Sequence, residues 1–327
     1  MVEIDWTTLI VAFGGGILGA AFGGLNAFIL CGLASIVGTI MTMVSGDVTF
    51  NRMVTWGPFL GPHVAFAGGV AASAFAAKKG ELCSGRNVLI SLFGFNSPMI
   101  LLVGGIFGVF GYVLNWVLNL IPDIGGIPWT NTIALSIIMS GIVCRLLFGD
   151  TGLLGKIPEG RSRWKRSRDE AWQPWPSHPF QVLLIGVAVS LLAATMVVLV
   201  PGSMGFFFGL AALSLIFFQF GAKIPVILHI ALSAEMVVAA TGTVGWGLVF
   251  GLLAVFLSEI FACVFLIHGD THIDPPAMSL VVMFALYPVC VVTGFIEHSG
   301  YYFFIPVIFV CFGGYALLAH PGKRSQS

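Results

Sequence analysis

An all-α, polytopic integral membrane protein is the fold class this sequence predicts, and three observations predict it. Hydrophobic residues fill 58% of the 327 positions and charged residues only 9%, against about 25% charged in a soluble domain. The apolar residues gather into runs of roughly 18 or more, long enough to cross a hydrocarbon core of about 30 Å. These runs are continuous rather than alternating. That selects helices over a closed barrel, the other architecture that satisfies its backbone in lipid.

The elements follow in order from the runs and the turn signals between them. Trp6–Ser45 is too long for one span and right for two, with the break at Gly23-Gly24. Next come Pro58–Ala77, Val88–Leu118, Trp129–Phe148 and Phe180–Val200. The last five are Met204–Phe220, Ile224–Thr241, Val244–Ile267, Pro275–Thr293 and Tyr301–Ala319. The prediction is therefore ten or eleven transmembrane helices, with re-entrant or broken segments where Asn96-Ser97-Pro98 and Pro225 interrupt. Residues 1–149 form a first membrane half, 150–179 a basic linker and 180–327 a second half. No segment is long and polar enough to fold as a soluble domain.

Lys and Arg set the orientation of such a chain. Lys78, Lys79 and Arg86 flank one connection. Lys156, Arg161, Arg163, Lys165, Arg166 and Arg168 crowd the linker, and Lys323 and Arg324 lie in the tail. These stretches and the C-terminus are expected in the cytoplasm of a bacterial-type inner membrane, with Arg145 snorkelling to the same interface. The N-terminus is expected outside, and Arg52 is the one exception to the pattern. The acidic Met1–Asp5 lacks the basic region of a signal peptide.

The halves carry a weak echo. Phe22–Phe28 resembles Phe250–Phe256, and Gly61-Pro62-His63 and Thr271–Pro276 each mark a helix start. With opposite orientations, such units form the inverted repeat of transporters and channels. Two inward-facing helix starts would suit an anionic or carbonyl-bearing solute.

Intramembrane carboxylates are costly and face a wet cavity or a polar interior. Glu235 and Glu259 are therefore expected to act as proton or cation sites, the plainer alternative being structural hydrogen bonding. His229, His63, Asn26 and Asn96 are further candidates for the pathway, with interhelical bonding as their ordinary role. His272 and Asp274 close the densest polar cluster, His268–Asp274. Asp274 is placed to cap a helix beginning at Pro275. His268, Asp270 and His272 are the weak candidates for a metal site. The Gly104–Gly108 and Gly15–Gly19 spacings read as close helix packing.

No nucleotide-binding loop appears, and no basic patch with interleaved aromatics, so ATP coupling within this chain and nucleic-acid partners are not expected. No cofactor is expected. The partners are the lipid bilayer and a small-molecule or ion substrate, with homo-oligomerisation left open. The function predicted is a secondary permease for a small polar or ionic solute, coupled to protons or cations through Glu235 and Glu259. The alternatives are a passive channel of the same architecture, a membrane-embedded metalloenzyme, or a subunit of a larger complex.

Overall fold

The computed structural model describes residues 4–164, 178–297 and 300–319, with Lys165, Arg166, Arg168, Lys323 and Arg324 outside the described residues. Among these residues it is helical, with isolated bridges but no strand. The helices are α1 (Trp6–Phe22), α2 (Gly24–Ser45), α3 (Ala65–Lys78), α4 (Pro98–Leu118), α5 (Thr132–Phe148) and α6 (Pro179–Leu199). They continue with α7 (Phe206–Ser214), α8 (Leu228–Thr241), α9 (Val244–Phe261), α10 (Pro275–Val292) and α11 (Tyr301–Ala319). Five helical segments are long and apolar enough to cross a membrane: α2, α4, α6, α10, and α9 with its π-helical extension to Leu266.

The first apolar run does divide into two helices, and the break lies at Gly23, whose φ of 93° places it in the left-handed region. A Cβ there would also collide with the Ile90 carbonyl, so both conformation and space require glycine. Two runs shorten. α3 begins only at Ala65, because Pro58–Val64 is non-helical, and α4 begins at Pro98 rather than Val88. α8 likewise starts at Leu228, after Pro225. At 14 residues each, α3 and α8 are about 21 Å long at 1.5 Å per residue. That is short of a hydrocarbon core, and irregular chain precedes both.

The proposed echo does not survive folding. Phe22–Phe28 is the junction of α1 and α2, whereas Phe250–Phe256 lies inside α9. Continuous apolar sequence produces such matches without equivalent geometry.

Packing is organised in two groups. α1 lies against α3 and α4, and α3 against α4 and α5. In the second group α6 lies against α8 and α9, and α8 against α9 and α10. The groups meet where α2 packs on α7 and α5 on α10, while α11 sits outside on α9 and α6. Small residues make the first group tight, since a Cβ on Gly16 would overlap the Gly104 carbonyl and one on Gly108 would lie 2.8 Å from the Gly16 Cα. These contacts are backbone to backbone and have no flexible end to give way. Gly16→Val is therefore expected to destabilise the fold by about 1–3 kcal/mol, the usual cost of overpacking. An unchanged thermal midpoint in detergent would remove the close-packing account.

Candidate functional site

A cavity of about 810 Å³ lies where the two groups meet. It falls within the roughly 300–1,000 Å³ of small-molecule sites. α5 and α10 wall it in antiparallel fashion. Thr130, just before α5, donates to the Val281 carbonyl at 2.8 Å, whereas Gly141 lies against the backbone of His272. The N-termini of these two helices thus stand at opposite ends of the cavity. Each is capped by its own side chain. Asn131 Oδ1 accepts from the Ala134 amide at 2.9 Å, and Asp274 Oδ2 accepts from the Ala277 amide at 2.8 Å. Both capping residues line the cavity.

The walls are mainly apolar and aromatic: Phe28, Trp56, Phe66, Phe208, Phe218 and Phe284. The polar lining gathers at the α10 end. His272 Nε2 sits 3.2 Å from Asp274 Oδ1, and the His272 ring meets Phe66 edge-on at 5.8 Å. Arg86 reaches the same end because Gly85 bridges to Thr271, and its guanidinium donates to the Ile267 carbonyl at 2.7 Å. Ser84 and Asn87 flank it on the cavity wall.

Of the residues singled out from sequence, only His272 and Asp274 line the cavity. Glu235 is fully buried, and its two oxygens accept from the amides of Phe207 at 2.9 Å and Phe208 at 3.3 Å. The reason is local. The first amides of any helix lack intrahelical partners, and α7 is preceded by Gly205, which has no side chain to cap it. A carboxylate on α8 does so instead. Glu259 is buried in α9, away from the cavity. His229 is buried in α8, where its neighbours Leu228 and Leu232 supply the cavity wall. His63 is wholly buried against the Tyr112 ring, 6.2 Å between centroids, although Pro62 beside it does line the cavity.

The two asparagines have structural partners. Asn26 donates to the carbonyls of Phe22 at 2.7 Å and Leu89 at 3.1 Å, and accepts from Gln219. Asn96 is exposed and closes a helical turn in the left-handed conformation at φ 51°. The metal candidates do not converge: among the described residues no group of three His, Cys, Asp or Glu side chains is arranged to hold a metal ion. Asp270 is committed to the Asp150 amide at 2.5 Å and the Thr151 hydroxyl at 2.8 Å. Burial works against its ionised form. Those two bonds and the Arg145 guanidinium outweigh it and hold the carboxyl below the usual carboxylate range.

Arg145 does not snorkel. It is fully buried and donates to Thr271 Oγ1 at 3.1 Å, the Leu153 carbonyl at 2.9 Å, and the carbonyls of Phe265 and Thr271. Arg163 donates to the Val264 carbonyl at 2.9 Å. With Arg86 on Ile267, three cations therefore satisfy the carbonyls at the end of the α9 segment, where the helix dipole is negative. Positive charge that sequence reading assigned to topology is spent on a helix terminus beside the cavity. The cavity residues that sequence reading passed over, Arg86, Asn87 and Asn131, carried faint signals. Asn131 stands where an N-cap belongs before an apolar run, while Arg86 looked like any loop charge.

The model of a family of unknown function, DUF7973, matches residues 1–164 and residues 155–305 of this chain. Neither a curated protein nor a solved structure matches it.

Proposed function

We propose, for a chain that belongs to the DUF7973 family of unknown function, that it is a polytopic membrane permease whose solute occupies the cavity between two inverted five-helix halves. The observation that carries this reading is the position of the cavity, at the meeting of α2 with α7 and of α5 with α10. Secondary transporters bind their solutes at such a repeat interface and expose them by rocking one half against the other.

The repeat pairs α1–α5 with α6–α10, and several observations support it. Every packing pair named for the first group has its counterpart in the second. Pro62 precedes the first residue of α3 by three positions, as Pro225 precedes that of α8. Asn131 and Asp274 cap α5 and α10 through the same bond. The two stretches matched by the family model each cover one half. Five crossings per half, an odd number, turn the second half over relative to the first. α3 and α8, short and preceded by irregular chain, are then the broken helices of each half. The basic connections and linker lie in the cytoplasm and the N-terminus outside. Glu235 serves as a helix cap, so the gradient coupling expected from it is not part of this reading.

Cysteine accessibility tests the proposal without knowledge of the solute. In a chain whose exposed Cys83 and Cys311 are replaced by serine, Ala134→Cys and Ala277→Cys put thiols at the two ends of the cavity. A rocking permease exposes each to an impermeant maleimide from both sides of the membrane. Labelling of both positions from one side only would overturn it.

A further inference from the structure

We propose that the cavity selects organic monoanions, an acid group seated at the Arg86 end and an apolar body among the aromatic rings. This rests on the permease reading for the cavity's purpose, though not for its chemistry. The polar lining has more donors than acceptors still to offer.

Each side-chain oxygen on the wall already accepts one bond. Asn131 Oδ1 accepts from Ala134, Asn87 Oδ1 from the Leu89 amide at 3.1 Å, and Ser84 Oγ from the Arg86 amide at 3.3 Å. Asp274 holds His272 on one oxygen and the α10 amide on the other. Each backbone amide also fixes which end of the asparagine is oxygen, because an N–H needs an acceptor.

The donors remain. Among the described residues Arg86 makes one hydrogen bond with its guanidinium fork, to Ile267, and the carboxylate that acts on it, Asp270, stands beyond ion-pair distance. The amide NH₂ groups of Asn87 and Asn131 and the Ser84 hydroxyl hydrogen make no bond among the described residues. Asp274, the one acid on the wall, already faces His272 and the positive end of α10, which carries about half a unit charge. A half-buried guanidinium with no carboxylate in ion-pair contact, ringed by spare donors and set against aromatic walls, is matched by a carboxylate on an apolar body.

Three probes that share one body and differ in charge test this on the native chain: 3-phenylpropionate, 3-phenylpropanamide and 3-phenylpropylamine. Binding to detergent-purified protein is read as the rise in thermal midpoint with concentration. The carboxylate is expected to bind at least about tenfold tighter than the amide, the value of one charge-assisted hydrogen bond, and the amine not at all. Arg86→Gln should erase the difference between carboxylate and amide. Equal affinity for acid and amide, preference for the amine, or no stabilisation by 3-phenylpropionate at millimolar concentration each overturns the assignment. If Arg86→Gln fails to fold, the three-probe comparison still decides. The two readings fail separately. Tight carboxylate binding with cavity thiols labelled from one side only sinks the permease and keeps the anion site. Two-sided labelling without carboxylate preference does the reverse.

Discussion

Arg145→Met is expected to give the largest loss of stability of any single change considered for this chain. The guanidinium is the donor for three carbonyls and a hydroxyl, drawn from the linker, the end of α9 and the strand of chain before α10. Methionine fills much of the volume but donates nothing. Orphaned buried acceptors cost about 1–3 kcal/mol each, so a total of about 3–5 kcal/mol is expected after water relieves part of it. Arg145→Lys should rescue little, because one ammonium cannot reproduce a planar fork that reaches several carbonyls at once. Limited trypsin digestion supplies a second readout. With the Leu153 contact gone, cleavage at Lys156 and Arg161 should accelerate several-fold. A variant with native melting and native digestion would show that the carbonyls find other partners and that the clamp is dispensable.

Glu235→Ala is expected to be nearly as damaging, for a different reason. The first amides of α7 would lose both carboxylate oxygens in a dry interior, at about 2–4 kcal/mol for two orphaned donors and a lost cap. Glu235→Gln keeps one acceptor oxygen but turns the other into an NH₂ facing a backbone amide, which orphans one donor at about 1–3 kcal/mol. The graded order, wild type above Gln above Ala in thermal midpoint, separates a cap from a coupling carboxylate. A coupling site would tolerate Gln with little change in stability but lose its response to a proton or cation gradient. Should Gln melt like wild type while gradient response disappears, the capping account is wrong and the carboxylate is the transported ion's partner.

How much of this was legible in the residues varies with the kind of signal. The helices were, because apolar runs and their punctuation by Gly23, Pro98, Pro179 and Pro275 act within a few residues of chain. The cap at Asp274 was legible for the same reason: an acid directly before Pro-Pro has one local use. Where α3 begins was half legible. Gly61-Pro62-His63 marks a helix start, but the apolar run gave no sign that the chain from Pro58 stays irregular, its carbonyls packed against α1 at Gly15. Glu235 was legible as a buried acid but its partners were not, since the amides it accepts from belong to α7, some 28 residues earlier. Arg86 and Arg145 were seen as topology charges because their acceptors lie on α9 and the chain after it, more than a hundred residues away.

The amino-acid string alone therefore determined the apolar character of this chain, its helical secondary structure and the ends of most of its helices. Hydrophobicity, proline and capping are short-range properties, and each residue carries its own share of them. Tertiary structure alone decided which polar groups are spent and which are spare. A buried donor or acceptor is defined by the partner that reaches it, and those partners come from distant segments that only packing brings within about 3 Å.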